Sequence, residues 1–238
     1  MNRVLIFAGG KGTRMNRKDD MPKQFLEIDK KPIIIYTLEK FEQNELVDDI
    51  IVVCIKEWIN HLEGLIKKFK IKKVSKILPG GKTGFDSRLN GLEYLMSTSN
   101  SDDDIVLIHD GVRPLINNQV ITDNIKIATN SGNAITSANV TETIIFNNGT
   151  IKDDVLERDR CFFARAPQTF KLKNIYEYYR RAKIENKTEI IDSASLAYYY
   201  GERLNYVIGP QENIKITTPI DFYCAKGMLT YLKEDSKE

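Results

Sequence analysis

The sequence has few cysteines, little net charge and no long apolar run. The three cysteines, Cys54, Cys161 and Cys224, are far apart and form no Cys-x-x-Cys pair, so neither a disulfide framework nor a zinc site is indicated. The net charge is only +2, from 35 basic and 33 acidic residues, which argues against a nucleic-acid partner. A reducing, cytoplasmic location is therefore expected.

The amino-terminal segment lacks the length that export or membrane insertion requires. An apolar run at 4–8 follows Arg3 and ends in glycines, which is too short for a signal peptide or a membrane span. We therefore expect no membrane partner. The composition, 42% hydrophobic and 29% charged, is that of a globular protein, and the length of 238 residues predicts a single domain over 1–238.

Short apolar runs alternate with segments of helical spacing along most of the chain. Strands are predicted at 4–7, 50–55, 74–78, 105–108, 134–138 and 205–208. Helices are predicted at 33–41, 58–69, 87–96, 117–129, 173–184, 194–200 and 219–231. This alternation predicts an α/β fold with three layers, in which helices cover both faces of a mainly parallel sheet.

The alternation breaks between residues 139 and 163. Thr143 to Phe146 and Ile151 flank the turn Asn147-Asn148-Gly149, a pattern typical of a β-hairpin. Charged residues follow at 153–154 and 157–160. We predict that this segment forms a β-arm projecting from the sheet.

Ligands of open parallel sheets bind outside the carboxyl ends of the strands, which here are the segments after Phe7, Leu78 and Ile108. The first segment reads Ala-Gly-Gly-Lys-Gly-Thr-Arg over 8–14. Its glycines let backbone N–H groups approach a phosphate, and its two cations add positive charge. It fits neither the Walker A pattern nor the dinucleotide fingerprint, so by itself it is equally consistent with a plain tight turn.

The combination of this loop with Met-Pro-Lys-Gln-Phe at 21–25 resembles the start of the cytidylyltransferases that act on polyol phosphates. Further motifs of that family follow in order: Gly80-Gly81 with Ser87 and Gly91-Leu92, His-Asp-Gly-Val-Arg-Pro at 109–114, Ala-Pro-Gln-Thr-Phe at 166–170, and Asn-Ile-Lys-Ile-Thr-Thr-Pro at 213–219. The resemblance covers the chain from about Val4 to Ala225.

The resemblance implies a Rossmann-like nucleotidyltransferase that uses Mg²⁺ to join the CMP of CTP to a small polyol phosphate and releases pyrophosphate. Arg14 and Lys23 would stabilise the transition state, and Lys215 and Arg158 would position the incoming phosphate. Positive charge is what transfer at the α-phosphorus requires, because negative charge accumulates there in the transition state.

The resemblance also implies binding residues in the loops after three strands. Those for the nucleotide are Phe7, Ala8, Gly9, Gly10, Gly12, Arg14, Lys23, Gly80, Gly81, Lys82, Ser87, Asp110, Gly111 and Lys215. Asp110 is also the implied Mg²⁺ ligand, since a single carboxylate plus substrate phosphates is a common arrangement for this ion. A turn-capping role is the alternative interpretation of Asp110.

The acceptor-binding residues that the resemblance implies are Arg113, Thr143 and Arg158. Arg113 has a second interpretation, as a structural residue that pairs across the strand ends. Thr143 and Arg158 fall in the predicted arm, which in relatives reaches into a neighbouring subunit and so implies a homodimer with shared sites. His109 is interpreted as a structural residue, because an attacking phosphate needs no base, and His61 as a surface residue.

Three positions depart from the family pattern. Gly84 replaces an arginine, with Lys82 as the candidate source of the missing charge, and Ala166 and Ile191 replace threonines. Ile145 on the arm and Lys11 in the glycine loop favour the ribitol-phosphate branch, which serves teichoic-acid or capsule synthesis. The alternatives are a methylerythritol-phosphate enzyme of isoprenoid synthesis, a glycerol-phosphate enzyme, a nucleotidyltransferase that makes an NDP-sugar, and a nucleotide-binding regulator that has lost catalysis.

Overall fold

The computed structural model describes residues 1–10, 15, 21–147, 149 and 153–235. Its strands are β1 (Asn2–Ala8), β2 (Glu27–Ile28), β3 (Lys31–Pro32), β4 (Asp49–Cys54), β5 (Val74–Pro79), β6 (Ile105–Asp110), β7 (Asn133–Asn139), β8 (Ile144–Phe146), β9 (Asp154–Leu156), β10 (Phe162–Lys171) and β11 (Tyr206–Ile208). Its α-helices are α1 (Ile33–Glu42), α2 (Ile59–Lys68), α3 (Gly84–Ser97), α4 (Asn118–Ser131), α5 (Leu172–Ile184), α6 (Ser193–Tyr199) and α7 (Pro219–Asp235). Single 3₁₀ turns at Lys23–Phe25, Lys56–Trp58 and Arg158–Arg160 complete the elements.

The main sheet has seven strands in the order β11-β7-β10-β6-β1-β4-β5. β1 pairs in parallel with β4 and β6, β4 pairs in parallel with β5, and β11 pairs in parallel with β7. β10 is antiparallel to both β6 and β7. The predicted mainly parallel α/β fold is therefore confirmed.

The longest strand of the sheet, β10, is absent from the sequence-based prediction. Pro167 interrupts it, and its pairing with β7 shifts register between Ala164 and Gln168. Its first residues are exposed and its last residues are buried, so the alternation that marks a half-buried strand is missing. Strand β10 ends the β-arm and returns the chain to the centre of the sheet.

Alternate side chains of β1 enter two different apolar clusters, so both faces of the sheet are covered. Val4 and Ile6 pack with residues of α1, α2 and α4, whereas Leu5 packs with residues of α3, α5 and α6. Burial of both faces explains why the central strands read as continuous apolar runs.

Helix α3 begins three residues before its predicted start at Ser87. The side chain of Thr83 accepts a hydrogen bond from the backbone N–H of Asp86, and Asp86 bonds back to Thr83 in a capping box. This reciprocal pairing satisfies free N–H groups of the first turn and fixes the entry of the chain into the helix. The next helix, α4, is capped by Asn117.

The predicted β-arm is present as a hairpin in which β8 pairs with β9 in antiparallel orientation. Ile151, where the returning strand was predicted, lies outside the described residues, and the observed return strand begins at Asp154. Among the helices that the structure describes, none is both long and apolar enough to cross a lipid bilayer.

Candidate active site

The loops after β1 and β5 meet at Ser87, in the first turn of α3. The Ser87 hydroxyl accepts a hydrogen bond from Gly81 N (3.0 Å) and donates one to Thr83 O (2.9 Å). A Cβ atom on Gly80 would lie 3.3 Å from this hydroxyl oxygen, and one on Gly9 would lie 3.7 Å away. The predicted nucleotide loops are therefore adjacent in space.

Gly81 has no room for a side chain. A Cβ atom there would lie 2.4 Å from Asp86 Cβ, and the capping box holds Asp86 in place. The glycine is thus required by the close approach of the loop to the start of α3. Gly10 is exposed and has open space around it, and Lys82 is exposed.

The loop after β6 lies beside the start of the glycine loop. Gly111 N donates to Phe7 O (2.8 Å), and a Cβ atom on Gly111 would lie 3.0 Å from that oxygen. The buried Gln24 side chain donates to Ala8 O (2.5 Å), which ties the Met-Pro-Lys-Gln-Phe segment to the end of β1.

The carboxylate of Asp110, at the end of β6, forms ion pairs with two cationic side chains. Its Oδ1 lies 2.6 Å from Lys215 Nζ, and its Oδ2 accepts from Arg113 Nε at 2.9 Å. Burial by itself raises the pKa of this carboxyl, but the charges and hydrogen bonds of Lys215 and Arg113 outweigh burial and hold the pKa well below its usual value. Asp110 is therefore ionised at neutral pH, and it orients the Lys215 ammonium.

Arg113 pairs across the strand ends, as the interpretation of this arginine as a structural residue predicted. Besides its bond to Asp110, its Nη1 donates to Asn213 O at 2.9 Å, and the buried Asn213 side chain donates to Ala166 O at 2.8 Å. Arg113 nevertheless lines the cavity described below, so acceptor binding and pairing are compatible.

Lys23 lies next to the segment that carries Lys215. Its Nζ donates to the main-chain oxygen of Ile216 at 2.8 Å. Lys23, Lys215 and Asp110, which are distant in sequence, thus form one group beside the start of the glycine loop. Three further predicted residues, Lys11, Gly12 and Arg14, lie outside the described residues.

A cavity of about 190 Å³ opens beside this group. The residues that line it come from β1, α3, β6 and the loop after it, β10, the segment before α6 with the first residue of that helix, and the segment before α7: Phe7, Arg88, Ile108, His109, Asp110, Arg113, Ala164, Arg165, Ala166, Gln168, Ile191, Asp192, Ser193 and Lys215. Two of the departures from the family pattern, Ala166 and Ile191, therefore border the same space as Asp110 and Lys215.

Thr143 and Arg158 do not line this cavity. Both are exposed on the β-arm, where Arg158 Nη1 lies 3.5 Å from Thr141 O and its Nε lies 3.8 Å from Asp159. Within one chain, the structure does not bring these two predicted acceptor residues together with Arg113. Their proposed contribution to a neighbouring subunit stays a prediction.

The two histidines take the places predicted for them. His109 is buried, with its ring 5.0 Å from that of Phe41 and its Nε2 3.3 Å from Arg113 O, and burial lowers its pKa to about 4. A neutral, enclosed imidazole fits a structural residue. His61 is exposed and packs edge-on against Phe25 and Trp58.

Two arginines that line the cavity, Arg88 and Arg165, were not predicted from the sequence. Both lie within or next to motifs, since Arg88 follows Ser87 and Arg165 precedes the Ala-Pro-Gln segment. A Cβ atom on Gly84 would lie 3.9 Å from the Arg88 guanidinium, so Arg88 is a cation close to the position where the family pattern has its arginine. Arg88 lies four residues after Gly84, about one helical turn further along α3, and this spacing could have identified Arg88 from the sequence.

Residues that could hold a metal ion are few at this site. The part of the chain that the structure describes contains no group of three or more His, Cys, Asp or Glu side chains placed to bind one. Asp110 and Asp192 are the carboxylates among the described residues that line the cavity, and Asp110 is the one paired with Lys215. A carboxylate has more lone pairs than the two cationic neighbours of Asp110 use. The donor set thus fits an ion that takes one protein carboxylate and obtains its other ligands from phosphate and water.

Comparison with known proteins identifies relatives over nearly the whole chain. Residues 3–231 match the family model described as IspD, 2-C-methyl-D-erythritol 4-phosphate cytidylyltransferase. A ribitol-5-phosphate cytidylyltransferase of Vibrio parahaemolyticus is 47% identical over 96% of each chain. A 2-C-methyl-D-erythritol 4-phosphate cytidylyltransferase of Clostridium novyi is 38% identical over 98% of each chain.

Solved structures share the fold. The 4-diphosphocytidyl-2C-methyl-D-erythritol synthase of Anaerococcus prevotii superimposes with a TM-score of 0.81 at 24% identity, over 96% of each chain. The 2-C-methyl-D-erythritol 4-phosphate cytidylyltransferase of Francisella tularensis gives a TM-score of 0.76 at 29% identity, over 94% of this chain and 97% of the other.

Proposed function

We propose that this chain, which belongs to the IspD family of 2-C-methyl-D-erythritol 4-phosphate cytidylyltransferases, transfers CMP from CTP to D-ribitol 5-phosphate and releases pyrophosphate. The family and the named relatives identify a CTP-dependent nucleotidyltransferase. One observation supports ribitol 5-phosphate as the acceptor. Four relatives named for that acceptor are 45–47% identical over 96% of this chain, against 38% for the Clostridium novyi relative named for methylerythritol phosphate. A further relative named for ribitol 5-phosphate, from Lactiplantibacillus plantarum, is 34% identical.

The geometry around Asp110 suits the chemistry of this transfer. An oxygen of the acceptor phosphate attacks the α-phosphorus of CTP, the bond from that phosphorus to the bridging oxygen breaks, and pyrophosphate leaves with that oxygen. The attacking oxygen is already an anion, so no base has to accept a proton. The task left to the protein is to hold two anions together and to stabilise the charge that develops between them.

Lys215 and Lys23 are the described cations placed for that task. An oxygen of the Asp110 carboxylate lies 2.6 Å from the Lys215 ammonium. The Lys23 ammonium donates a hydrogen bond to the main-chain oxygen of Ile216, the residue after Lys215. The Lys215 ammonium borders the cavity and Lys23 lies next to the segment that carries Lys215, so the two cations suit an acceptor phosphate that approaches the α-phosphate of CTP. We assign Lys215 to the acceptor phosphate and Lys23 to the transition state.

We further propose that Mg²⁺ binds at Asp110. When bound, the ion would neutralise charge on the triphosphate oxygens and help to orient them. The role of Asp110 is then twofold, because the same carboxylate orients Lys215. Activity that is lost on adding a chelator and restored by Mg²⁺ would support this assignment.

We propose that the β-arm completes the site of a second copy of the chain. Thr143 and Arg158 lie outside the cavity of their own chain, and the arm carries exposed apolar side chains, Ile145 at 65% exposure and Val155 at 70%. An apolar surface of this kind favours association with another chain. The proposed assembly is a homodimer.

The proposed product, a CDP-activated polyol, suits the synthesis of a cell-surface polymer such as teichoic acid or capsule. The substrates CTP and a sugar-alcohol phosphate are cytoplasmic metabolites, so we place the reaction in the cytoplasm. The relatives named for methylerythritol phosphate support the alternative proposal, a role in isoprenoid synthesis.

Pyrophosphate release tests the proposal. The enzyme is incubated with Mg²⁺, each of the four ribonucleoside triphosphates and one acceptor from a panel: D-ribitol 5-phosphate, 2-C-methyl-D-erythritol 4-phosphate, glycerol 3-phosphate and a sugar 1-phosphate. We expect release only with CTP and D-ribitol 5-phosphate. A preference for another acceptor would replace ribitol with that acceptor, and CTP binding without any release would favour a catalytically inactive regulator.

A further inference from the structure

An arginine on α3 spans one wall of the cavity. Arg88 Nη2 donates to the main-chain oxygen of Ile191 at 2.8 Å, and Arg88 Cζ lies 6.0 Å from the centre of the Phe7 ring. Ser87, the preceding residue, holds the loop that contains Gly81. Arg88 thus connects the nucleotide side of the site with the segment before α6, and it borders the cavity between them.

The guanidinium of Arg88 pairs with no carboxylate among the residues that the structure describes. Its neighbours are the Ile191 carbonyl and the buried Tyr179 hydroxyl, which is bonded to Ser193 at 2.9 Å. Its Nε is buried and has no hydrogen-bond partner. Because Nε is enclosed, a ligand in the cavity would meet the guanidinium at its Nη groups, which carry four of its five N–H donors.

A second arginine of the cavity is oriented in a similar way. Arg165 Nη1 donates to the main-chain oxygen of Gln211 at 2.7 Å, and burial followed by the nearby charge of Arg113 lowers the pKa of the Arg165 guanidinium. Arg113 differs, because it is neutralised by Asp110 at 2.9 Å. The cavity therefore contains more positive charge and more N–H donors than its own carboxylates use.

We propose that Arg88 binds the hydroxyl-bearing chain of the acceptor and thereby selects the length of the polyol phosphate. This inference rests on the function proposed above, in which the acceptor phosphate lies at Lys215. Asp110 holds Lys215 and Arg113 but makes no ion pair with Arg88, which lines the cavity from α3, so we place Arg88 against the hydroxyl-bearing chain of the acceptor. It is a substrate-binding residue that determines specificity.

The donors of Arg88 that a ligand can reach suit hydroxyl oxygens. A guanidinium binds phosphate most strongly through two parallel N–H donors, and its Nε–Nη2 edge is not open to such binding, because Nη2 is bonded to the Ile191 carbonyl and Nε is enclosed. The N–H donors on Nη1 remain, and each suits one hydroxyl oxygen. Asp192, which also lines the cavity, offers an acceptor for the hydroxyl proton of the same chain.

The test compares a long acceptor with a short one. D-ribitol 5-phosphate and glycerol 3-phosphate share the phosphate, but the glycerol compound lacks the distal hydroxyls. Steady-state kinetics with CTP and Mg²⁺ are measured for the wild type, Arg88→Met, Arg88→Lys and the control Arg180→Met. Arg180 is exposed on α5, where it pairs with Glu177 and lies over the Tyr176 ring, away from the cavity lining. Where glycerol 3-phosphate is not turned over, its competitive inhibition constant takes the place of its KM.

For Arg88→Met, we expect the KM for D-ribitol 5-phosphate to rise roughly 10- to 100-fold, the effect of one hydrogen bond to a charged donor. The KM for CTP, the constant for glycerol 3-phosphate and the unfolding temperature should change little, and Arg180→Met should match the wild type. Arg88→Lys, which keeps the charge and loses the fork of donors, should show a smaller rise of the same selective kind.

The possible results contradict either the role of Arg88 or the proposed function on which that role rests. An equal loss with both acceptors, or a rise in the KM for CTP in the folded variants, would assign Arg88 to phosphate, nucleotide or structure, and the inference would be wrong. If Arg88→Met fails to fold, the same criteria apply to Arg88→Lys. A wild-type enzyme that ignores D-ribitol 5-phosphate would instead overturn the proposed function on which the inference rests.

Discussion

The Lys215 ammonium lies 2.6 Å from the Asp110 carboxylate, and this contact joins the end of β6 to the segment before α7. Neither residue is near the other in sequence. The pair holds the pKa of Asp110 well below its usual value and keeps Lys215 beside the cavity.

We expect Lys215→Met to reduce kcat/KM by roughly 100-fold or more, the usual effect of removing one donor to a developing negative charge. Because Asp110 loses one of two cations, its pKa should rise, and the acid limb of the pH–rate profile should move to higher pH. Lys226→Met on the exposed face of α7 is the control. An acid limb that stays in place would separate Asp110 from activity.

Lys23→Ala should lower kcat by orders of magnitude with little change in the free energy of unfolding. The substitution removes a cation assigned to the transition state, together with its hydrogen bond to Ile216 O at the surface of the site. Turnover and urea unfolding are compared with those of Lys126→Ala, an exposed lysine on α4. A turnover number equal to that of the wild type would remove Lys23 from the mechanism.

Arg158→Ala should raise the KM for the acceptor more than the KM for CTP. Arg158 is exposed on the arm and is assigned to the acceptor phosphate of a neighbouring chain, so the fold of its own chain should be unaffected. Both Michaelis constants are measured at saturation of the other substrate. Equal effects on the two constants would argue against that assignment.

A mixed dimer tests whether Arg158 acts across subunits. If it does, a dimer of Arg158→Ala and Lys215→Met chains contains one intact site, formed by Lys215 of the first chain and Arg158 of the second. Co-expression should restore roughly a quarter of wild-type activity, since random pairing makes half of the dimers mixed and each of those has one of two sites. Activity that stays at the level of the single variants would place Arg158 in the site of its own chain, or outside any site.

Gly81→Ala should raise the KM for CTP and lower stability. The new Cβ would lie 2.4 Å from Asp86 Cβ, so the loop or the capping box must shift. Clashes of this kind typically cost about 1–3 kcal/mol. Gly64→Ala is the matched control, because nothing lies within 4 Å of its Cβ position on α2 and alanine favours helix there. Wild-type stability and a wild-type KM for Gly81→Ala would show that the loop adapts freely.

His109 should make stability fall in mild acid. Burial lowers its pKa to about 4, whereas an unfolded histidine titrates near pH 6.5, so the unfolded chain binds the extra proton between these values. Stability should therefore decline as pH falls from about 6.5 to 4, by at most roughly 3 kcal/mol from this residue. His109→Gln should flatten that part of the curve in urea titrations, whereas the exposed control His61→Gln should not. An unchanged slope for His109→Gln would contradict the prediction.

The sheet and its helices could be read from the sequence because their signals are local. Residues 50–54 form a continuous apolar run, and their strand was predicted within one residue of its observed start. Strand β10 could not be read, because Pro167 and the register shift beside it remove the alternation that identifies a strand. The start of α3 was predicted late, because the Thr83–Asp86 capping box was overlooked.

The residues of the candidate site could be predicted only where they belong to a recognisable motif. The glycine loops, Lys23, Asp110 and Lys215 were found by their resemblance to a family, and the structure places them together. Arg88 and Arg165 are not among the residues that define the motifs beside them, and they are singled out only by the cavity that they line. Lys82, the predicted substitute for the charge missing at Gly84, is exposed, whereas Arg88 lies within 3.9 Å of a Cβ atom at Gly84.

The sequence by itself determined the α/β class, the β-arm and the family to which the chain belongs, because apolar periodicity and glycine loops are properties of neighbouring residues. Only the tertiary structure decided which distant side chains meet. It paired Asp110 with Lys215, set Arg88 against the Ile191 carbonyl and left Arg158 outside the cavity of its own chain. Contacts of this kind depend on how strand ends, helix starts and returning loops converge at one edge of the sheet, and a linear pattern does not record that convergence.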